Sequence, residues 1–253
     1  MNEVTGETPG TERRAVGPWG PWATLGFGFL VVLAMFLAHT LVVIGLIAVQ
    51  MIGDPQTDIA AYAEELATNG LALALGTLLT LLLGGALILL FCVLRRGPSI
   101  GAYLGLAPIR PRHLAAWIGA SAALILASDT LTTVLGRPLV PEVMVQTYRS
   151  ATVLPIYWLA LVVAGPLFEE LLFRGFLLEG FRRSRLGNVG AAVLTSIAWA
   201  AVHQQYGLYE LATIFVVGLV LAAARVRTGS LYTPILLHAG FNLVSLIQTA
   251  LFF

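Results

Sequence analysis

The stretch GPLFEELLFRGF, residues 165–176, places three charged side chains inside an apolar run that extends from Val153 to Phe181. A charged side chain at the centre of a bilayer costs about 2.5–3.5 kcal/mol on insertion scales, so such residues usually face the protein interior and have partners. Glu170 and Arg174 are four residues apart on one helix face, and we predict that they pair. Glu169 lies about 100° around the helix with no basic residue one turn away, so its partners are expected on other helices.

The composition around this stretch is that of an integral membrane protein. Of the 253 residues, 58% are hydrophobic and only 11% are charged, against about 25% charged in soluble domains. All 14 basic residues are arginine and the net charge is +1, which indicates no nucleic-acid partner. The single cysteine, Cys92, excludes a disulfide within the chain and a cysteine cluster for a metal. The lipid bilayer is therefore the expected surroundings of most of the chain.

The apolar runs predict an all-α polytopic bundle of about seven transmembrane helices. The fifth is short for a complete crossing, and the first is too long for a signal-peptide core, so we expect it to be retained. The predicted helices are Trp22 to Met51, Leu66 to Leu94, His113 to Leu135, Val153 to Phe181, Val189 to Gln204, Leu208 to Ala224 and Leu231 to Phe253.

Arginine distribution predicts the orientation of the bundle, because loops rich in arginine stay on the cytoplasmic side. The arginines concentrate between the second and third helices, between the fourth and fifth, and between the sixth and seventh. We therefore expect a multi-pass protein, of the bacterial plasma membrane, with a cytoplasmic amino terminus and an outer carboxyl terminus. The Gly- and Pro-rich segment 97–113 divides it into a cytoplasmic tail (1–21), two amino-terminal helices with a linker (22–112) and a catalytic bundle (113–253).

Three further polar side chains lie deep in apolar helices of the second half: His203, His238 and Asn242. A spacing of four puts His238 and Asn242 on one face of the last helix. Counted from the arginine loops at about 1.5 Å per residue, these residues and Glu169 lie at overlapping depths of roughly 12 to 22 Å. The sequence thus predicts that an acid, two imidazoles and an amide from three helices meet inside the membrane.

These residues form three ordered motifs, each within a predicted helix. Glu169-Glu170-x-x-x-Arg174-Gly175, Trp199-x-x-x-His203 and His238-x-x-x-Asn242 resemble the motifs of the CPBP family of intramembrane peptidases. That family includes type II CAAX prenyl endopeptidases and bacterial Abi proteins linked to bacteriocin handling. The resemblance covers about 95 residues, from Val153 to about Ile247, and departs from the family only in that Trp199 stands where phenylalanine is commoner.

Peptide hydrolysis needs an activated water, a stabilised oxyanion and a proton for the leaving amine. We assign the general base to Glu169, with His203 sharing the water and with His238 and Asn242 as donors to the oxyanion. Glu170 and Arg174 then orient the base. The roles agree with those that the resemblance implies, although the sequence does not divide them between the two glutamates. The implied substrate is a membrane-associated protein or peptide, which in the prenyl-processing branch is a lipidated CAAX tail.

A metal site is the alternative chemistry. Glu169, His203 and His238 could bind Zn²⁺ and leave a fourth position for water, as catalytic zinc sites require. The chain has no HExxH motif, and Asn242 suits an oxyanion better than a metal, so we expect no cofactor and keep zinc as the alternative.

Two other functions fit the same residues less closely. One is a non-catalytic bacteriocin-immunity or scaffold protein of the same fold, in which the polar groups only join helices. The other is a proton-coupled transporter, which the absence of paired half-helix breaks disfavours.

Overall fold

A computed structural model of the chain describes residues 17–252, and every regular element in that range is a helix. The all-α prediction is therefore confirmed. The ten helices of the described range are α1 (Pro21–Gly53), α2 (Ile59–Leu66), α3 (Gly70–Leu94), α4 (Ile100–Leu104), α5 (Pro111–Val134), α6 (Glu142–Arg149), α7 (Leu154–Arg182), α8 (Gly187–Ala201), α9 (Leu208–Thr228) and α10 (Tyr232–Phe252). Residues 1–16 of the predicted tail and Phe253 lie outside the described residues.

Six of these helices are long and apolar enough to cross a membrane: α1, α3, α5, α7, α9 and α10. The predicted fifth span, Val189 to Gln204, is α8, which has only 15 residues and a length of about 22 Å. Its backbone leaves the helix after Ala201, so His203 lies in a turn beyond the helix end rather than within a span.

Three short helices were not predicted, and two polar caps explain one error of boundary. Asp58 accepts hydrogen bonds from the amides of Ala60 and Ala61 and starts α2. Asn69 accepts from Leu71 and Ala72 and starts α3. The predicted start of the second span at Leu66 is therefore wrong, because Leu66 ends α2 and the capping side chain of Asn69 separates the two helices.

The helix that carries the opening stretch, α7, is interrupted twice by π-helical turns, at Ala160–Ala164 and at Leu171–Leu177. In the first, the amide of Gly165 donates to the carbonyl of Ala160, five residues back. Pro166 has no amide hydrogen and clashes with the carbonyl four residues before it in a regular α-helix, which the wider turn relieves. Glu169 and Glu170 occupy the short α-helical piece between the two π turns.

The half of the bundle at the arginine-rich helix ends is solidly packed. Phe173 and Phe176 of α7 contact a core that continues into α3, α4, α8, α9 and α10. Buried members from those helices include Ile88, Tyr103, Leu104, Trp199, Leu221 and Leu237, and Leu231 just before α10 joins them.

Polar bonds tie the helix ends together on this side. Glu179 is buried and accepts from Arg182 (2.9 Å) and from Arg225 (2.6 Å), which also donates to the carbonyl of Leu104. Arg225, one of the arginines expected in the loop between the sixth and seventh predicted helices, is thus a buried ion-pair partner. Gly105, at φ +73°, lies against the Arg225 guanidinium where a Cβ would overlap it, so this turn requires glycine.

Candidate functional site

The buried acid of the site is Glu170, which has no exposed surface. Its Oε1 accepts from Arg174 Nη1 at 2.7 Å and lies 2.9 Å from His238 Nδ1. Arg174, also fully buried, donates to the carbonyl of Gly218 (3.2 Å) and stacks 4.6 Å from the Trp199 ring. The predicted Glu170–Arg174 pair is thus present, and it extends to α9 and α10. Because removing one member of a buried pair leaves an uncompensated charge, this group fixes how the three helices meet.

The acid that faces open space is Glu169. Its side chain is 23% exposed, and its Oε2 accepts a hydrogen bond from the indole Nε1 of Trp199 at 2.5 Å. The same oxygen lies 4.0 Å from His203 Nε2 and 3.9 Å from His238 Nε2. The sequence left Glu169 without a partner on its own helix, and the structure supplies three from α8, α10 and the turn after α8.

Both histidines are oriented by their Nδ1 atoms. His238 Nδ1 faces the Glu170 carboxylate and His203 Nδ1 lies 2.8 Å from the carbonyl of Trp199. Both of those oxygens can only accept, so each Nδ1 carries the proton in the neutral ring. Each Nε2 then presents a lone pair towards Glu169. A neutral His238 can accept from water here, and it donates to an oxyanion only when protonated.

Asn242 connects α10 to the first π turn of α7. Its amide nitrogen donates to the carbonyl of Leu161 at 2.8 Å. In the i+5 pattern of a π turn, the amide facing Leu161 would come from Pro166, which has none. Asn242 therefore satisfies a carbonyl that the helix leaves without a partner, and its second N–H remains for another acceptor.

The candidate residues border a cavity of about 370 Å³. Glu169, Trp199, His203, His238 and Asn242 form its inner wall, while Glu170 and Arg174 lie behind that wall. Further from Glu169 the wall carries other polar side chains from α5, α9 and α10. Among them are Ser128, Asp129, Thr132, Tyr209, Thr213 and Gln248. Asp129 of this wall accepts a hydrogen bond from Gln248 at 2.8 Å.

Tyr206 is a site residue that the sequence analysis missed. Its ring stacks on His203 at 6.3 Å and it lines the cavity. Burial, and then the charges of Tyr157, Glu169 and Glu210, raise the pKa of its hydroxyl, so it remains a protonated donor at neutral pH. Its position three residues after His203, in the turn that ends α8, was the available signal.

The three possible metal ligands do not form a ready zinc site. Ligands around tetrahedral zinc, with bonds of about 2.0–2.1 Å, lie about 3.3 Å apart, whereas the two Nε2 atoms lie 3.9 and 4.0 Å from Glu169 Oε2. Within residues 17–252, no group of three or more His, Cys, Asp or Glu side chains is arranged to hold a metal ion. Trp199 also donates a hydrogen bond to the Glu169 oxygen that faces the two histidine Nε2 atoms.

Comparisons with known proteins agree with the motif resemblance. Residues 151–244 match the family model described as Rce1-like, type II CAAX prenyl endopeptidase Rce1-like. An Escherichia coli protein described as an uncharacterized 24.3 kDa protein is 43% identical over 82 residues, which are 32% of this chain and 38% of that protein. The chain thus spans about two fifths of that relative. No solved structure matches the chain. The resemblance to the CAAX protease family is confirmed for the segment that contains all three motifs.

Proposed function

We propose that this chain, whose residues 151–244 match the CAAX protease family, is an intramembrane endopeptidase that hydrolyses a peptide bond of a membrane-associated protein or peptide. The observation that carries the proposal is the convergence of Glu169, His203 and His238 within 4.0 Å on the wall of a cavity. A purely structural network would have no reason to leave its acid exposed to open space. Glu170, by contrast, is fully enclosed and neutralised by Arg174.

The gap between Glu169 and the two imidazoles accommodates a water molecule. At 3.9–4.0 Å the atoms are too far apart for direct hydrogen bonds, and a bridging water resolves such distances. Glu169 takes a proton from this water while the lone pair of His203 Nε2 accepts its second hydrogen. The water oxygen then bonds to the carbonyl carbon of the substrate.

Collapse of the tetrahedral intermediate breaks the C–N bond. The proton held by Glu169 passes to the leaving nitrogen, directly or through His203, and the products are an amine and a carboxylic acid, which then loses its own proton to the amine or to water. The negative oxygen accepts from the free N–H of Asn242 and from Tyr206, with His238 contributing once it is protonated. Trp199 holds Glu169 in place, and Glu170 with Arg174 orients His238. In this assignment Glu169 is the base and Glu170 is a positioning residue.

Loss of the Glu169 carboxylate tests the assignment. New peptide termini in membrane and secreted fractions are compared by mass spectrometry between cells expressing wild type, Glu169→Gln and Glu65→Gln. Glu65 is an exposed carboxylate on α2 and serves as the matched control. We expect a set of termini that wild type and Glu65→Gln share and Glu169→Gln lacks, corresponding to a rate loss of at least about 10²-fold. Identical termini in all three strains would refute the peptidase and favour the immunity or scaffold function.

Zinc remains the alternative chemistry for the same residues, and metal content distinguishes the two. The residues that would hold it are Glu169, His203 and His238, and it would supply an acidified water. We expect purified, active protein to contain zinc well below one ion per chain, and His203→Ala not to change that content. Stoichiometric zinc that is lost in His203→Ala would establish the metal mechanism instead.

A further inference from the structure

The cavity lies mainly in one half of the bundle. Its walls come from the first part of α3, the second half of α5, the segment that leads into α6, α7 as far as Glu169, the end of α8, the first half of α9 and α10 from His238 onwards. These segments all point to the same end of the molecule. Ion pairing and hydrogen bonds join the helix ends there, between Arg137 and Glu210 (3.8 Å) and between Thr132 and Tyr209 (2.7 Å). The cavity therefore extends from Glu169 towards this end.

The opposite end is closed. Directly beyond Glu170 and Arg174 lie Phe173, Phe176 and Leu221, all buried. Further out, the amide of Leu231 donates to Gly105 (2.8 Å) and the hydroxyl of Ser230 to Ala107 (2.6 Å), which fixes the α4 segment across the helix ends. Within the described range, these side chains and the α4 segment fill the space between the site and the arginine-rich helix ends.

Arginine marks the closed end. Within the described residues, nine arginines lie in or beside the closed-end loops, and two, Arg137 and Arg149, lie at the open end. The nine are Arg95, Arg96, Arg110, Arg112, Arg182, Arg183, Arg185, Arg225 and Arg227. The positive-inside rule places such an end in the cytoplasm. The mouth of the cavity then faces the other side of the membrane.

Distance and volume restrict what can reach Glu169. It lies 15 residues from the outer start of α7 at Leu154, or about 22 Å along the helix. An extended chain covers about 3.3 Å per residue, so about six or seven residues span this depth. A volume of about 370 Å³ is near the lower end for small-ligand sites. The cavity itself, whose α7 lining begins at Leu161, accommodates a few residues of a single extended strand and not a folded domain.

We infer that the site is reached from the non-cytoplasmic side of the membrane, and that its substrate is a flexible chain end, about six or seven residues deep, of an exported polypeptide. That the occupant of the cavity is a substrate rests on the proposed peptidase function. The side of the membrane from which the cavity is reached does not depend on that function. It also distinguishes this chain from an enzyme that acts on lipidated tails in the cytoplasm. Those tails would meet the closed end.

Cysteine accessibility in intact cells tests the direction without any substrate. The native Cys92 is buried and serves as a silent background. Ser128→Cys places a thiol on the cavity wall, and Leu139→Cys places one at the outer loop that borders it. Asn188→Cys places one at the exposed, arginine-rich end of α8. A membrane-impermeant maleimide is applied to intact cells and, separately, to permeabilised cells.

We expect labelling at positions 128 and 139 in intact cells, at least tenfold above the background, and labelling at position 188 only after permeabilisation. Protection of position 128 in intact cells with labelling after permeabilisation would overturn the inference, as would position 128 remaining unlabelled in both. Labelling of position 188 from outside would overturn the orientation. These outcomes are independent of the termini compared for Glu169→Gln, so failure of the peptidase function and failure of the access route are distinguished.

Discussion

At the scale of single residues, the site depends on the different surroundings of two adjacent glutamates, Glu169 and Glu170. Glu170 is enclosed and shared by Arg174 and His238, while Glu169 is held by one indole N–H at the edge of a cavity. Neighbouring positions on a helix point about 100° apart, so one can face the core and the other a cavity. Glu169 and Glu170 therefore lie in two different environments, although they belong to a single helical turn.

Trp199→Phe tests whether the hydrogen bond from the Trp199 indole positions the Glu169 carboxylate. Phenylalanine keeps an aromatic ring between Arg174, His203 and His238 but cannot donate to the carboxylate. A hydrogen bond to a charged group contributes about 1.5–3 kcal/mol, so we expect the hydrolysis rate to fall roughly tenfold to a hundredfold, and the unfolding temperature to fall as well because Trp199 is a buried core residue. Trp158→Phe, in the same bundle but away from the site, is the matched control. Equal rates for both variants would show that the indole N–H does not position the base.

Sequence spacing predicted one of these partnerships and not the other. The Glu170–Arg174 pair follows from a separation of four on one helix, which is local geometry. The Trp199–Glu169 bond joins residues 30 positions apart and depends on the rotation of α8 against α7, which no spacing within either helix specifies. The sequence showed only that Glu169 needed a partner on another helix.

At the scale of elements, the irregular turns of α7 set the orientation of the site. A π turn adds a residue to one helical turn, so the segments on its two sides are rotated relative to a regular helix. The first π turn precedes Pro166, and its unmatched carbonyl at Leu161 receives Asn242 from α10. The hydrogen bond from Asn242 to Leu161 thus joins α10 to the irregular turn of α7, and we call this contact the α7–α10 joint.

Pro166→Ala tests that joint. Alanine restores an amide and removes the clash, so the segment can regularise, and because proline costs about 3 kcal/mol in a helix interior the variant should be at least as stable as wild type. The rotated Glu169 would be misplaced by an ångström or more, which costs roughly 10²-fold in rate. Pro155→Ala, at the first turn of the same helix where proline is tolerated, should have no such effect. The joint has no positioning role if Pro166→Ala hydrolyses as fast as Pro155→Ala.

The ends of the long helices could be predicted, because each apolar run of the sequence ends near a helix end. Changes of helix type within an apolar run could not be predicted. The seven apolar segments correspond to α1, α3, α5, α7, α8, α9 and α10. The short helices α2, α4 and α6 have too few residues for a periodic pattern. The π turns leave the apolar pattern of α7 continuous, and Pro166 indicated only that its hydrogen bonding was disturbed.

At the scale of the whole molecule, the amino-terminal helices pack closely against α7, the helix that carries Glu169 and Glu170. A Cβ on Gly180 of α7 would overlap Thr24 of α1, and one on Gly84 of α3 would meet Phe168 at 2.5 Å. Small residues allow such close approach between membrane helices, where packing rather than exclusion from water drives association. Buried residues from both sides of residue 112 contribute to one core.

Gly180→Leu tests this packing. The larger side chain has to push α1 away from α7, and overpacking of this kind costs about 1–3 kcal/mol, so we expect a lower unfolding temperature in detergent. Gly26→Leu is the matched control in the facing helix, because nothing lies within 4 Å of a Cβ there. Equal unfolding temperatures for the two variants would contradict a tight α1–α7 contact.

The packed arginine-rich half has a consequence for the membrane itself. A water-filled shaft that reached both faces would let ions and protons leak down their gradients. Here the cavity ends at Glu169, and buried side chains beyond it, such as Phe173 and Phe176, are apolar and offer no polar groups to carry a proton or an ion. Under the proposed peptidase function, this arrangement brings water for hydrolysis to the middle of the bilayer while the membrane stays sealed to ions.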